Sequence, residues 1–158
     1  MKAAPVILDT NLMVLLVVGS ASRDYVSKHK RTQTYTIEDF SLLTRILAGA
    51  ASIVSVPHVL AETSNLVRQF AEPGRTRICT VLESFIHDWV ESPVASRTAA
   101  HRHEFRSLGL TDAALLTLQA EDDASVLASV LLTDDLDLYV ASVSAGRQAV
   151  NFSHLRAT

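Results

Sequence analysis

Val6-Ile7-Leu8 is a short, partly β-branched apolar run that stops at an acid, Asp9, and the chain resumes from Leu12 to Val18 as a second apolar run without strand-like alternation. The pattern reads as a buried strand feeding a helix, with a carboxylate at the junction. A chain selected only for stability would place an aliphatic residue at position 9, because a buried acid is costly unless it is partnered.

Strands and helices then alternate. Gly19 to Tyr35 lacks periodicity and carries Arg23, Lys28, His29, Lys30 and Arg31 against one acid, Asp24, so a loop or a poorly packed helical excursion is expected. Thr36-Ile37-Glu38-Asp39 approximates a capping box, and Phe40, Leu43, Ile46 and Leu47 follow at helical spacing, which predicts a helix over 37–49. Residues 52–56 alternate like a strand ending at Pro57, which in turn opens a helix carrying Val59, Leu66, Val67 and Phe70. Beyond the Pro73-Gly74 break, Ile78, Leu82, Phe85, Ile86 and Trp89 predict another helix; 92–94 reads as extended and 96–108 as a helix closed by Gly109. Thr111 is a good N-cap for a helix with Asp112, Leu115, Leu116 and Gln119 on one face, closing near residues 121–123. A strand over 125–132, a helix over 136–145 capped by Gly146, and a last strand over 148–152 complete an α/β pattern. One domain over 1–158 is expected, with a mostly parallel sheet flanked by helices.

Composition narrows the classes. With 48% apolar residues, 5 Gly and 4 Pro, the chain is neither disordered nor collagen-like. Cys79 alone supports no intramolecular disulfide and no multi-cysteine metal site, and it suits a reducing compartment, so a cytoplasmic location is expected. A net charge of −3 gives no global attraction for nucleic acid, so any such function needs a local site. Mean hydropathy is positive (+0.22), yet the Leu12–Val18 run is far shorter than the roughly 20 residues of a membrane span. Met1-Lys2 and the small residues Gly19 to Ser22 loosely imitate a secretion signal, but Asp9 and Asn11 interrupt its apolar region.

In open parallel sheets, ligands collect beyond the carboxyl ends of the strands, and the acids fall there. Asp9 ends the first strand, Glu62 lies in the helix after the second, Asp112 opens a helix, and Asp134-Asp135 ends a later strand. Each has an ordinary use, since acids near helix starts meet the dipole or cap free amides, and Glu62 suits an exposed helix face. Together they pose an electrostatic problem: carboxylates 4 Å apart repel by about 4 kcal/mol at an effective dielectric near 20. Either a carboxyl takes a proton or a divalent cation neutralises the group. Oxygen ligands without His or Cys favour Mg²⁺ or Mn²⁺ over zinc, and the histidines lack zinc-site spacing, His101 and His103 being two apart; they read as solvated or RNA-facing.

In order along the chain, Val6-Ile7-Leu8-Asp9-Thr10-Asn11, Leu60-Ala61-Glu62, Leu110-Thr111-Asp112-Ala113 and Leu131-Leu132-Thr133-Asp134-Asp135 resemble the acidic motifs of the PIN-domain ribonucleases, which include VapC-type toxins of toxin-antitoxin pairs. The resemblance implies a four- or five-stranded parallel sheet, a Mg²⁺ or Mn²⁺ site, and hydrolysis of RNA phosphodiester bonds by a metal-activated water. It carries the metal-holding, catalytic roles to Asp9, Glu62, Asp112 and Asp135. The family's acid two residues after Thr selects Asp135, with Asp134 as the competing register. Asn11, Thr133 and Asp134 would fix a carboxylate or water by hydrogen bonds. Arg23, Lys28, Lys30, Arg31, Arg102 and Arg106 are candidates for flanking RNA phosphates, or a solvated surface. A cognate antitoxin protein and a homodimer are the further partners implied; the apolar faces at 40–47 and 85–89 serve a dimer or the core equally.

Two other classes compete. One is a catalytically weak RNA-binding or interaction module on the same scaffold. The other is a different Mg²⁺ α/β protein, but a haloacid-dehalogenase-type phosphohydrolase needs an acid where Asn11 stands, and a receiver domain needs a lysine that the segment after Asp112 lacks.

Overall fold

In a computed structural model that describes residues 3–121 and 128–156, one sheet is built from β1 (Val6–Leu8), β2 (Ile53–Ser55), β3 (Val90–Glu91), β4 (Val130–Thr133) and β5 (Ala149–Asn151). Its spatial order is β3-β2-β1-β4-β5, and every neighbouring pair is parallel. The chain is therefore α/β with a single five-stranded parallel sheet flanked by helices. Val6, Ile7 and Leu8 pair with β2 on one side and β4 on the other and are buried, which is why this run is apolar throughout and does not alternate. The order steps outward from β1 to β3 and then returns to the other side of β1, so the topology switches between β1 and β4. A crevice is expected beyond the carboxyl ends of those two strands.

The helices are α1 (Thr10–Ala21), α2 (Tyr25–Lys28), α3 (Ile37–Ala48), α4 (Pro57–Val67), α5 (Gly74–Asp88), α6 (Ser96–Ala100), α7 (Phe105–Leu108), α8 (Leu110–Gln119) and α9 (Leu136–Ser144). Packed against α2, α3, α4 and α5, α1 is buried from Leu12 through Gly19, so its continuous apolar run is that of a helix enclosed on all sides. Each Leu or Val fully buried there contributes about 1.5–3 kcal/mol relative to exposure. Gly19 lets α3 come close: a Cβ at this position would lie 2.3 Å from Cδ2 of Phe40. Gly19→Ala is therefore expected to destabilise the protein by about 1–3 kcal/mol through overpacking, although alanine is the better helix former. Denaturant unfolding would check this, and Gly19→Ala with Phe40→Leu should recover most of the loss.

Several boundaries differ from the sequence expectation. Beyond the end of α1, residues 22–35 are turns around the short helix α2, as expected of a loop or helical excursion, but they are anchored, with Val26, His29 and Thr32 fully buried. That segment's core is partly polar, because the Thr32 hydroxyl donates to the Val26 carbonyl (2.7 Å) and His29 Nε2 meets the Val67 carbonyl at 3.1 Å. His29, stacked on Phe70, is thus neither solvated nor RNA-facing. The extended piece expected at 92–94 pairs earlier, as β3: the Ser92 N–H still donates to the Ser55 carbonyl, and Pro93 has none to continue the ladder. The helix expected over 96–108 is broken into α6 and α7, between which Arg102 turns back onto the buried Glu104 carboxylate at 3.1 Å. Of the strand expected at 125–132, residues 125–127 lie outside the described residues, and β4 occupies Val130–Thr133. The capping box at Thr36 and Asp39 is present as expected. Phe40, Leu43 and Leu47 go to the core; Phe85 and Trp89 stack on each other and pack against it. Among the described residues, no helix is long and apolar enough to cross a membrane.

Candidate functional site

Asp9 follows the last residue of β1 and its amide donates to the Leu132 carbonyl (3.1 Å), so the carboxylate stands where the β1–β4 ladder ends. It also caps α1: Oδ1 accepts from the Thr10 N–H (2.7 Å), while Oδ2 accepts from the Thr133 hydroxyl (2.6 Å). The same Thr133 oxygen accepts the Asp135 N–H (3.0 Å), so one hydroxyl links the ends of β1 and β4. Asp135 caps α9, its Oδ1 accepting the N–H groups of Asp137 and Leu138 at 2.8 and 3.0 Å. Glu62 projects from α4, and Thr111 donates its hydroxyl to Glu62 Oε2 at 2.6 Å. Asp112 sits in the first turn of α8, whose entry is set by Gly109 at φ +90°, a backbone conformation suited to glycine.

These four carboxylates line one cleft of about 310 Å³ with Thr10, Asn11, Leu108, Gly109, Leu110 and Thr111. Among the described residues lining it there is no Lys, Arg or His. The consequence is electrostatic. Burial first, then the charges of Asp9, Asp135 and Glu62, push the Asp112 carboxyl up to about 7. Burial pushes Asp9 up to about 6 against the pull of its hydrogen bonds from Thr133 and Thr10, with Asp135 and Glu62 adding to the rise. The group thus carries the stress expected of clustered acids without a counter-charge.

No protein-family model matches the chain, and no curated protein matches it. What the cleft can do follows from its own chemistry. A divalent cation fits the donor set, which is oxygen throughout, and the fit is helped by the Thr10 hydroxyl, buried at the cleft with no hydrogen-bond partner among the described residues. Asp9, Glu62, Asp112 and Asp135 are the carboxylates that would hold it. Among the described residues no three Asp, Glu, His or Cys side chains stand, as placed, close enough together to hold a metal ion.

The other expected site residues are distributed differently. Asn11 is exposed and lines the cleft, and Thr133 holds Asp9 from beneath. Asp134 does not reach the cleft: it accepts hydrogen bonds from the Tyr35 hydroxyl and the Ser153 hydroxyl. None of the basic candidates lines the cleft either. Arg23, Lys28, Lys30 and Arg31 come after α1, a helix about 18 Å long that is capped by Asp9 at its other end. Arg23 lies over the Phe40 ring and donates to Ser41, and Arg31 donates to Gln69. Arg102 is engaged by Glu104, leaving Arg106, exposed and two residues before Leu108 at the rim, as the candidate nearest in sequence to the cleft. Sequence reasoning missed Thr10 and took Thr111 for a helix cap. The adjacency of each hydroxyl to a singled-out acid was the available signal.

Proposed function

We propose that this chain is a Mg²⁺- or Mn²⁺-dependent endoribonuclease of the PIN-domain kind. The observation that carries the reading is the convergence of Asp9, Glu62, Asp112 and Asp135, from four separate elements, on one cleft without a counter-cation among its described lining residues. Those four would hold the ion, which when bound lowers the pKa of a water and offsets charge on the attacked phosphate. The protein's own work is orientation. Thr133 and the Thr10 amide fix Asp9, the α9 amides take Oδ1 of Asp135 and leave its second oxygen for the cleft, and Thr111 steers Glu62. Asp112, with no hydrogen-bond partner among the described residues, is the carboxylate most able to turn toward a bound water. Arg106, Lys28 and Lys30, all exposed, would meet phosphates farther along the RNA. On this reading the chain acts in the cytoplasm as the toxin of a pair, restrained by an antitoxin protein that covers the cleft.

Mn²⁺ binding followed by electron paramagnetic resonance tests the site without a guessed substrate. Wild type should bind and Asp112→Asn, checked for folding, should bind at least about 10-fold more weakly. Equal binding by the two proteins, or none by wild type, contradicts the assignment.

A further inference from the structure

Two adjacent acids, Asp134 and Asp135, compete for one register at the end of β4, and the structure separates them. Asp135 turns toward the cleft and caps α9, whereas Asp134 is turned away, with its Oδ2 accepting the Tyr35 hydroxyl at 2.5 Å and its Oδ1 accepting the Ser153 hydroxyl. Tyr35 is itself fixed. It is buried, and the Arg156 guanidinium lies over its ring, 5.2 Å from the centroid. That guanidinium is held in turn by Asp39 at the start of α3 (2.8 Å) and by the Thr34 carbonyl. Burial and the hydrogen bond to Asp134 push the Tyr35 phenol well above its usual range, so it remains a donor at any working pH.

We infer that Tyr35, acting through Asp134, is a positioning residue for the acidic cleft: by occupying Asp134 it leaves Asp135 as the carboxylate that caps α9 and faces Asp9. The physical need is local. An unfastened Asp134 would be a second carboxylate one residue before the cap, able to compete with Asp135 for the Asp137 and Leu138 amides and to draw the turn out of line with the Thr133 hydroxyl. The inference rests on the cleft being a cation site.

The test is Mn²⁺ affinity by electron paramagnetic resonance on the full chain, with thermal unfolding run on each variant. Tyr35→Phe keeps the ring beneath Arg156 and removes only the hydroxyl. It should weaken Mn²⁺ binding by about 10-fold, the scale typical of groups that orient metal ligands. Asp134→Ala removes the competing acceptor and should bind as tightly as wild type, without the loss expected of Tyr35→Phe. The double variant Tyr35→Phe/Asp134→Ala should recover that affinity, a rescue that a merely structural tyrosine would not give. Ser153→Ala, which frees the other Asp134 oxygen, should weaken binding in the same direction and serves if Tyr35→Phe folds poorly. Unchanged affinity in both Tyr35→Phe and Ser153→Ala overturns the inference, as does a double variant no better than Tyr35→Phe. Loss of binding in Asp134→Ala as complete as in Asp135→Asn makes Asp134 a ligand and also overturns it. No binding by wild type overturns the cation reading of the cleft and takes this inference with it.

Discussion

Asp112→Asn should lower cation-dependent RNA cleavage by about 10²–10³-fold, the scale at which loss of one preorganised electrostatic group registers in an active site. The substitution is nearly isosteric, so the expected loss comes from charge and coordination and not from shape. It removes the carboxylate on which burial and the charges of Asp9, Asp135 and Glu62 act together, and Asn is a poorer ligand for a hard divalent ion. Single-turnover cleavage of labelled RNA with Mg²⁺ or Mn²⁺ provides the measurement, with a chelator control that should bring wild type down to the level of the variant. Asp88→Asn, at the far end of α5 and outside the cleft lining, should cleave like wild type. Wild-type cleavage that survives the chelator, or equal rates in wild type and Asp112→Asn, would remove the acidic cleft from the reaction.

How much of this was legible in the sequence depended on whether a residue's role was set by its neighbours or by distant partners. The β1–Asp9–α1 junction could be read because an apolar run closed by an acid has few structural uses, and the observed topology places that acid at the switch between β1 and β4. Glu62 and Asp112 were legible only as members of a set, since each alone suits a helix surface or a helix start. The choice between Asp134 and Asp135 was not decidable from local pattern: both follow Thr133, and what separates them is a tyrosine 99 positions away in the chain. Residues 22–35 form the turns and short helix expected, but their anchoring through His29 and Thr32 was not legible, because the burial of those polar side chains depends on particular carbonyls that no periodicity announces. The break between α6 and α7 has the same origin, in a buried Glu104 that takes Arg102 and stops a sequence otherwise suited to one helix. The basic patch shows the same dependence on distant partners: Arg23 contacts Phe40 and Ser41, and Arg31 contacts Gln69, none of which local composition indicates.

Asp112→Asn should also make the metal-free protein more stable at neutral and alkaline pH, the opposite of what removing a buried hydrogen-bonded acid does. The folded-state carboxyl of Asp112 is pushed from the ordinary 3.8 to about 7, and that of Asp9 to about 6. Between pH 4 and 7 the folded protein therefore holds protons that the unfolded chain has released, and linkage makes stability fall as pH rises across that window and level off above it. Each pKa unit is worth about 1.4 kcal/mol in full, but Asp112 is partly open to solvent, and screening reduces the expected difference to about 1–2 kcal/mol at pH 8. At pH 4, where Asp112 is protonated in the fold, wild type and variant should nearly coincide. The difference between the two proteins is the right readout, because other carboxyls run the other way. Glu104 is one: burial alone would raise it, but its backbone amide and Arg102 hold it below the usual range. A saturating divalent cation supplies the missing counter-charge and should reverse the order: at 100 times its Kd it stabilises wild type by about 2.7 kcal/mol, with much less gain in the variant. Chemical denaturation at pH 4, 6 and 8, with and without Mg²⁺, measures both effects. A wild type more stable than Asp112→Asn at pH 8 without metal would mean that Asp112 has a compensating partner, and that the cleft is not the unneutralised acidic site described above.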